Sequence, residues 1–136
     1  MKKILLITVI LLTGLNASLT LSKNGTDTKL MTKKGSEQIE LFSKACNSGD
    51  AKGCFKLGYI YNTGKGVEKD YIKARKYYEI SCNAGYARAC TRLGLLYGEG
   101  KGVKKDINKA IIFFKKACEG GHADGCMVYN AFNKKK

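Results

Sequence analysis

The chain has 136 residues and a formal net charge of +14, from 25 Lys and Arg against 11 Asp and Glu. This length holds at most one domain, which excludes a large multidomain enzyme. A hydrophobic fraction of 44% with 26% charged residues is ordinary for a globular protein and excludes a largely disordered chain.

Residues 1–17 predict a secretory signal peptide. Two lysines follow Met1, an apolar run covers residues 4–12, and small and polar residues lead to Ala17, after which we expect cleavage. The alternative is an N-terminal membrane anchor, although the apolar run is short for a span of about 20 residues. We therefore expect a secreted or periplasmic protein that is not embedded in a membrane.

Residues 18–35 are rich in Ser, Thr, Lys and Asn and predict a flexible leader, and residues 134–136 form a basic tail. The folded domain is expected between them, over residues 36–133. Lysines are scattered over the leader, one loop and the tail without forming a stripe, so we expect no nucleic-acid partner. Attraction to anionic envelope or host surfaces stays open.

Six cysteines recur on a period of 36 residues, with separations that alternate between 8 and 28: Cys46, Cys54, Cys82, Cys90, Cys118 and Cys126. When the sequence is shifted by one period, 16 of the 36 positions from Cys46 to Ser81 are identical. The chain therefore contains an internal repeat. An even number of cysteines in a small exported domain predicts a disulfide framework.

Each repeat predicts two helices, which we call helix A and helix B. In helix A, apolar and small residues recur at steps of three and four, as at Cys54 and Leu57. Gly64 ends helix A, Asp70 is placed to cap helix B, and helix B is expected to end near Gly85. The same residue types one period later predict the same elements again.

The order of residues within a repeat resembles the tetratricopeptide pattern. A Leu-Gly pair is followed by Tyr, Ala, an aromatic residue and a small residue: Leu57, Gly58, Tyr61, Ala74, Tyr78 and Ser81, then Leu93, Gly94, Tyr97, Ala110, Phe114 and Ala117. The period of 36 exceeds the roughly 34 residues of that repeat, as in the Sel1-like repeat family. With a cysteine pair in every repeat and a signal peptide, residues 36–132 resemble the secreted proteins classed as cysteine-rich β-lactamases.

The repeats and this resemblance predict an all-α fold, a right-handed α/α solenoid of the tetratricopeptide or Sel1-like superhelix type. Its three hairpins each join a helix B to the following helix A. Six cysteines allow 15 connectivities, and in only one of them does every period form the same bond. That connectivity pairs the first cysteine of each repeat with the one eight residues later. The predicted disulfides are Cys46–Cys54, Cys82–Cys90 and Cys118–Cys126, each stabilising the fold by about 2 to 3 kcal/mol.

The sequence offers no known catalyst for the β-lactam hydrolysis that the resemblance implies. Ser-x-x-Lys, Ser-Asp-Asn and Lys-Thr-Gly are absent. Zinc sites pair ligands two to four residues apart, and His122 is the only histidine. We interpret His122 as a surface turn residue, leave the catalytic residues unknown, and expect no metal and no cofactor.

A concave wall lined by helix A would bind an extended ligand, as in other stacked two-helix repeats. By analogy with tetratricopeptide geometry, the predicted groove residues are Lys52, Phe55, Tyr59, Asn62, Arg88, Thr91 and Leu95, continued by Gly98, Asp124 and Met127. Phe55 and Tyr59 are expected to form an exposed aromatic pair. The alternative is that these residues are only a solvated face.

Two functions follow. The resemblance implies binding and slow hydrolysis of β-lactams in the groove. The residues themselves favour a non-catalytic adaptor that binds a peptide, a cell-wall fragment or a protein partner, since cations, amides and apolar groups together suit a peptide or a carboxylate. We expect a monomer in either case.

Overall fold

The computed structural model describes residues 32–135, and its regular elements are six α-helices. In chain order they are α1 (Lys33–Asn47), α2 (Ala51–Thr63), α3 (Tyr71–Asn83), α4 (Ala87–Glu99), α5 (Ile107–Glu119) and α6 (Ala123–Asn133). Consecutive helices pack against each other along the chain, as in an α/α solenoid. The all-α fold with three hairpins, α1–α2, α3–α4 and α5–α6, is confirmed.

The helix boundaries come from the capping residues that the sequence indicates. The Asp70 carboxylate accepts a hydrogen bond from the backbone N–H of Lys73 at 3.0 Å, and Asp106 caps α5 in the same way. Gly64 and Gly100 end α2 and α4 with φ values of 68° and 67°, in the left-handed region that favours glycine. Local sequence therefore fixes where these helices begin and end.

Helix α1 begins at Lys33, before the expected boundary at Ser36. The hydroxyl of Thr32 caps it by accepting a hydrogen bond from the N–H of Gly35 at 3.0 Å, and the N–H of Thr32 donates to the carbonyl of Gly66 at 2.7 Å. Gly35 is buried directly against Gly66, where a Cβ would collide with the backbone. The predicted signal peptide and residues 18–31 of the leader lie outside the described residues.

The Leu-Gly pair of each repeat has a packing role. Leu57 and Leu93 are fully buried, and the following glycines lie against the aromatic ring of the next helix. A Cβ on Gly58 would come within 2.6 Å of the Tyr78 ring, and a Cβ on Gly94 within 2.8 Å of the Phe114 ring. The glycine thus lets two helices approach closely around one buried ring.

The structure forms all three predicted disulfides, each between the end of one helix and the start of the next. Cys82 and Cys90 in the central hairpin are buried, whereas the first and third pairs are partly exposed. Three structural disulfides are typical of proteins that fold outside the cytoplasm. Within residues 32–135, none of the helices has the length and apolar character to cross a membrane.

Candidate functional site

A cleft of about 430 Å³ lies between α1, α2 and α4, and we call it the cationic cleft. Its volume is within the range of small-molecule sites. Its uncharged lining residues are Gln38, Phe42, Phe55, Tyr59 and Ile60. Helices α1, α2 and α4 thus meet at one concave site.

Four cations and no acidic residue complete the lining of the cationic cleft. Lys56 and Lys65 come from α2 and the loop after it, and Arg88 and Arg92 from α4. The two arginines are four residues apart, so they lie on the same face of α4. A concave site lined by one sign of charge concentrates ligands of the opposite sign. The cationic cleft is therefore suited to an anionic ligand.

Aromatic rings form the floor beneath these cations. The Phe55 ring contacts Tyr78 and Tyr86 at centroid distances of 5.6 and 5.1 Å, and the Arg88 guanidinium lies 5.5 Å from the Phe55 centroid. The prediction that Phe55 and Tyr59 form an exposed pair is wrong for Phe55. It is 7% exposed because rings from α3 and from the start of α4 cover it, while Tyr59 is 38% exposed.

A second pocket, of about 170 Å³, lies between α4 and α6, and we call it the polar pocket. The Thr91 hydroxyl and His122 Nδ1 are 2.8 Å apart, and His122 Nε2 is 3.9 Å from the Asp124 carboxylate. Arg88 and Arg92 line this pocket as well as the cationic cleft. The two sites are therefore continuous through the arginines of α4.

The polar pocket corrects two interpretations. His122 is not a free surface turn residue, since its side chain is 23% exposed and is hydrogen-bonded across the helix pair to Thr91. Thr91 is only 6% exposed, so it lies at the base of the pocket and not on an open groove face. A polar side chain is buried there because His122 satisfies its hydroxyl.

A third cleft, of about 160 Å³, joins Asn62 of α2 to Leu95 and Arg92 of α4. At its rim Lys101 forms an ion pair with Glu99, and the hydrogen bond that the Lys101 ammonium donates to this carboxylate raises the pKa of Lys101. Arg92 therefore borders all three clefts.

The structure distributes the predicted groove residues unevenly. Phe55, Tyr59 and Arg88 line the cationic cleft; Asp124 lines the polar pocket with Thr91, Leu95 and Arg88; and Asn62 and Leu95 line the third cleft. Lys52, Gly98 and Met127 line none of these three clefts. Lys52 and Met127 instead point into solvent.

The prediction missed cations that helical spacing could have found. Lys56 lies one helical turn after the predicted Lys52, and Arg92 lies one turn after the predicted Arg88. Residues at this spacing are neighbours on the same face of a helix. Gln38 and Phe42 gave no such signal, because only the packing of α1 onto α2 brings them to the cleft. In the described part of the chain, no three His, Cys, Asp or Glu side chains are grouped to hold a metal ion.

The model of the Sel1 repeat matches residues 39–50, 51–86 and 87–122, which is more than half of the chain. Cysteine-rich protein B of Helicobacter pylori is similar in structure, with 39% identity and a TM-score of 0.64 over 66% of this chain and 68% of that protein. No curated protein matches the chain.

Two further solved structures are similar. A Sel1 repeat protein of Oxalobacter formigenes has 35% identity and a TM-score of 0.63, over 67% of this chain and 37% of that one. A protective antigen of uropathogenic Escherichia coli with an SLR fold has 33% identity and a TM-score of 0.62, over 64% of this chain and 19% of that one. This chain thus spans a minor part of both larger proteins. From its repeats and their structure, the chain belongs to the Sel1 repeat family.

Proposed function

We propose that the chain is an exported binding module whose cationic cleft takes a peptide-like ligand with a carboxylate. β-Lactams and the peptide fragments of the cell wall both belong to this ligand class. The observation that carries the proposal is the cleft lining, in which four cations and no acid surround an aromatic floor.

The chemistry of the arginines favours a carboxylate. A guanidinium presents a planar fork of donors that matches the two carboxylate oxygens, and such charge-assisted hydrogen bonds are stronger than neutral ones. Arg88 and Arg92 provide two forks on one face of α4. The apolar part of the ligand would then lie on Tyr59 and the exposed edge of Phe55.

Export supports the same ligand class. The predicted signal peptide over residues 1–17 and the three disulfides favour a periplasmic or secreted protein. A module in that compartment meets cell-wall peptides and β-lactams. Use of the same cleft by a carboxylate-bearing segment of a protein partner is compatible with an adaptor role.

The test is calorimetric titration of the oxidised protein with benzylpenicillin and with a cell-wall stem peptide. Arg88→Gln and Arg92→Gln should each weaken binding about tenfold or more, since a hydrogen bond to a charged group contributes about 1.5 to 3 kcal/mol. Lys52→Gln is the matched control, because it removes a cation of α2 that does not line the cleft. Equal weakening by all three variants would mean that only net charge matters, and absence of binding would refute the proposal.

Slow hydrolysis of β-lactams is a second candidate, favoured by one observation. Thr91 and His122 are 2.8 Å apart, a distance at which a histidine can take a proton from a hydroxyl nucleophile. Arg88 and Arg92 border the same pocket and would stabilise an oxyanion. The burial of Thr91 and the 3.9 Å gap between His122 and Asp124 favour binding over turnover.

Turnover of a chromogenic β-lactam distinguishes the two functions. Hydrolysis that saturates and is lost in Thr91→Val would establish an enzyme. Turnover that is identical in Thr91→Val would refute Thr91 as the nucleophile, and binding without turnover would leave the binding module.

A further inference from the structure

The cationic cleft and the polar pocket occupy corresponding positions on the repeat but differ in chemistry. At the cationic cleft, the ring centroids of Phe55 and Tyr86 are 5.1 Å apart. The residues one 36-residue period later are Thr91 and His122, which are hydrogen-bonded at 2.8 Å in the polar pocket. An aromatic contact is thus replaced by a polar one in the next step of the solenoid. Arg88 likewise corresponds to Asp124, so the sign of the charge also changes.

The polar pair leaves hydrogen-bonding groups available to a ligand. When Nδ1 of the neutral His122 ring accepts a hydrogen bond from the Thr91 hydroxyl, Nε2 carries the ring hydrogen. Nε2 lies 3.9 Å from the Asp124 carboxylate. That distance is too long for a hydrogen bond. A side-chain amide fits this gap, since its carbonyl would accept from Nε2–H while its NH₂ would donate to Asp124. The Asp124 side chain is 72% exposed and so is accessible.

The two sites are close enough for one short ligand. Both are bordered by Arg88 and Arg92 of α4, which lies between the two sites, and neighbouring packed helices are about 8 to 10 Å apart. An extended peptide advances about 3.5 Å per residue, so two or three residues cross this distance. A carboxylate held at the arginines would therefore have one neighbouring residue in each site.

We propose that the cationic cleft and the polar pocket together bind an extended peptide with an acidic residue at its centre. The acidic side chain meets Arg88 and Arg92, an aromatic neighbour lies in the cationic cleft, and an asparagine or glutamine lies between His122 and Asp124. This inference rests on the proposed function of the cationic cleft and specifies the ligand that it takes.

The experiment compares short peptides by calorimetry on the oxidised protein. Because the chain direction is open, both acetyl-Phe-Glu-Asn-amide and acetyl-Asn-Glu-Phe-amide are titrated, together with the dipeptides acetyl-Phe-Glu-amide and acetyl-Glu-Phe-amide that lack asparagine. We expect one tripeptide to bind about tenfold more tightly than its dipeptide, as two added hydrogen bonds would give.

The matched variant is the double substitution Thr91→Phe with His122→Tyr, which copies the Phe55–Tyr86 contact of the preceding repeat and so keeps the packing of the solenoid. It should abolish the advantage of the tripeptide, so that the tripeptide and its dipeptide bind the variant with equal affinity. Asp124→Ala should remove part of that advantage without changing the core.

The outcomes separate the two proposals. Equal affinity for tripeptides and dipeptides, or an advantage that survives the double variant, would overturn this inference while leaving the cationic cleft as the binding site. If neither the peptides nor benzylpenicillin bind, both this inference and the proposed function are wrong.

Discussion

The hydroxyl of Tyr78 is a buried polar group without a hydrogen-bond partner among residues 32–135, and it therefore lowers the stability of the core. Tyr78 is 0% exposed, and none of the described residues offers its hydroxyl a hydrogen bond. The corresponding residue one period later is Phe114, which has the same ring without the hydroxyl. We therefore expect Tyr78→Phe to stabilise the protein.

The magnitude follows from the cost of burying an unpaired polar group, about 1 to 3 kcal/mol. The substitution keeps the ring, so the contacts with Phe55 and Gly58 stay in place. For a domain of this size, each kcal/mol corresponds to a rise in Tm of about 4 to 8 °C. Urea unfolding at neutral pH measures the change in the free energy of unfolding directly.

The pH dependence provides an independent check. Burial raises the pKa of Tyr78 above its ordinary range, and the charge of Arg92 lowers it only in part. Above about pH 10 the unfolded tyrosine ionises and the folded one does not, so the unfolding free energy of the wild type falls as pH rises. The advantage of Tyr78→Phe should therefore grow above pH 10, approaching about 1.4 kcal/mol per pH unit. The other tyrosines are present in both proteins, so their ionisation does not contribute to this difference in unfolding free energy.

The reciprocal variant Phe114→Tyr is the control. It adds a hydroxyl to a ring that is 3% exposed, so it should destabilise the protein by a similar amount. A loss of stability above about 1 kcal/mol in Tyr78→Phe would show that the hydroxyl is hydrogen-bonded in solution. A pH profile parallel to the wild type would show that Tyr78 ionises in the folded protein as readily as in the unfolded chain. Either result would refute the reasoning.

Three further predictions concern the repeat architecture. Gly58→Ala should destabilise the fold by about 1 to 3 kcal/mol because its Cβ would overlap the Tyr78 ring. Gly98→Ala should instead stabilise the fold by about 0.5 to 1 kcal/mol, because its Cβ would lie 3.7 Å from the nearest atom and alanine favours the helix over glycine. Thermal unfolding of both variants tests this contrast. During stepwise reduction followed by alkylation and mass spectrometry, the buried Cys82–Cys90 disulfide should be the last to open, and its early loss would contradict the packing described here. Asp70→Ala should lower the unfolding free energy by about 1 kcal/mol through loss of the α3 cap, and an unchanged urea midpoint would contradict that role.

The sequence by itself determined the features that local chemistry and periodicity control. The 36-residue period identified the repeats, and Asp70 and Gly64 marked helix ends because capping depends on a few adjacent residues. The disulfide pairing followed from the requirement that every repeat form the same bond.

Only the tertiary structure decided what each helix face contacts. Phe55 is buried and Thr91 is hydrogen-bonded to His122 because each meets the start of a helix 31 residues further along the chain. Such contacts depend on how successive hairpins stack, and the spacing along one helix does not encode that geometry. For the same reason the cationic cleft, which combines α1, α2 and α4, emerged only once the hairpins were packed together.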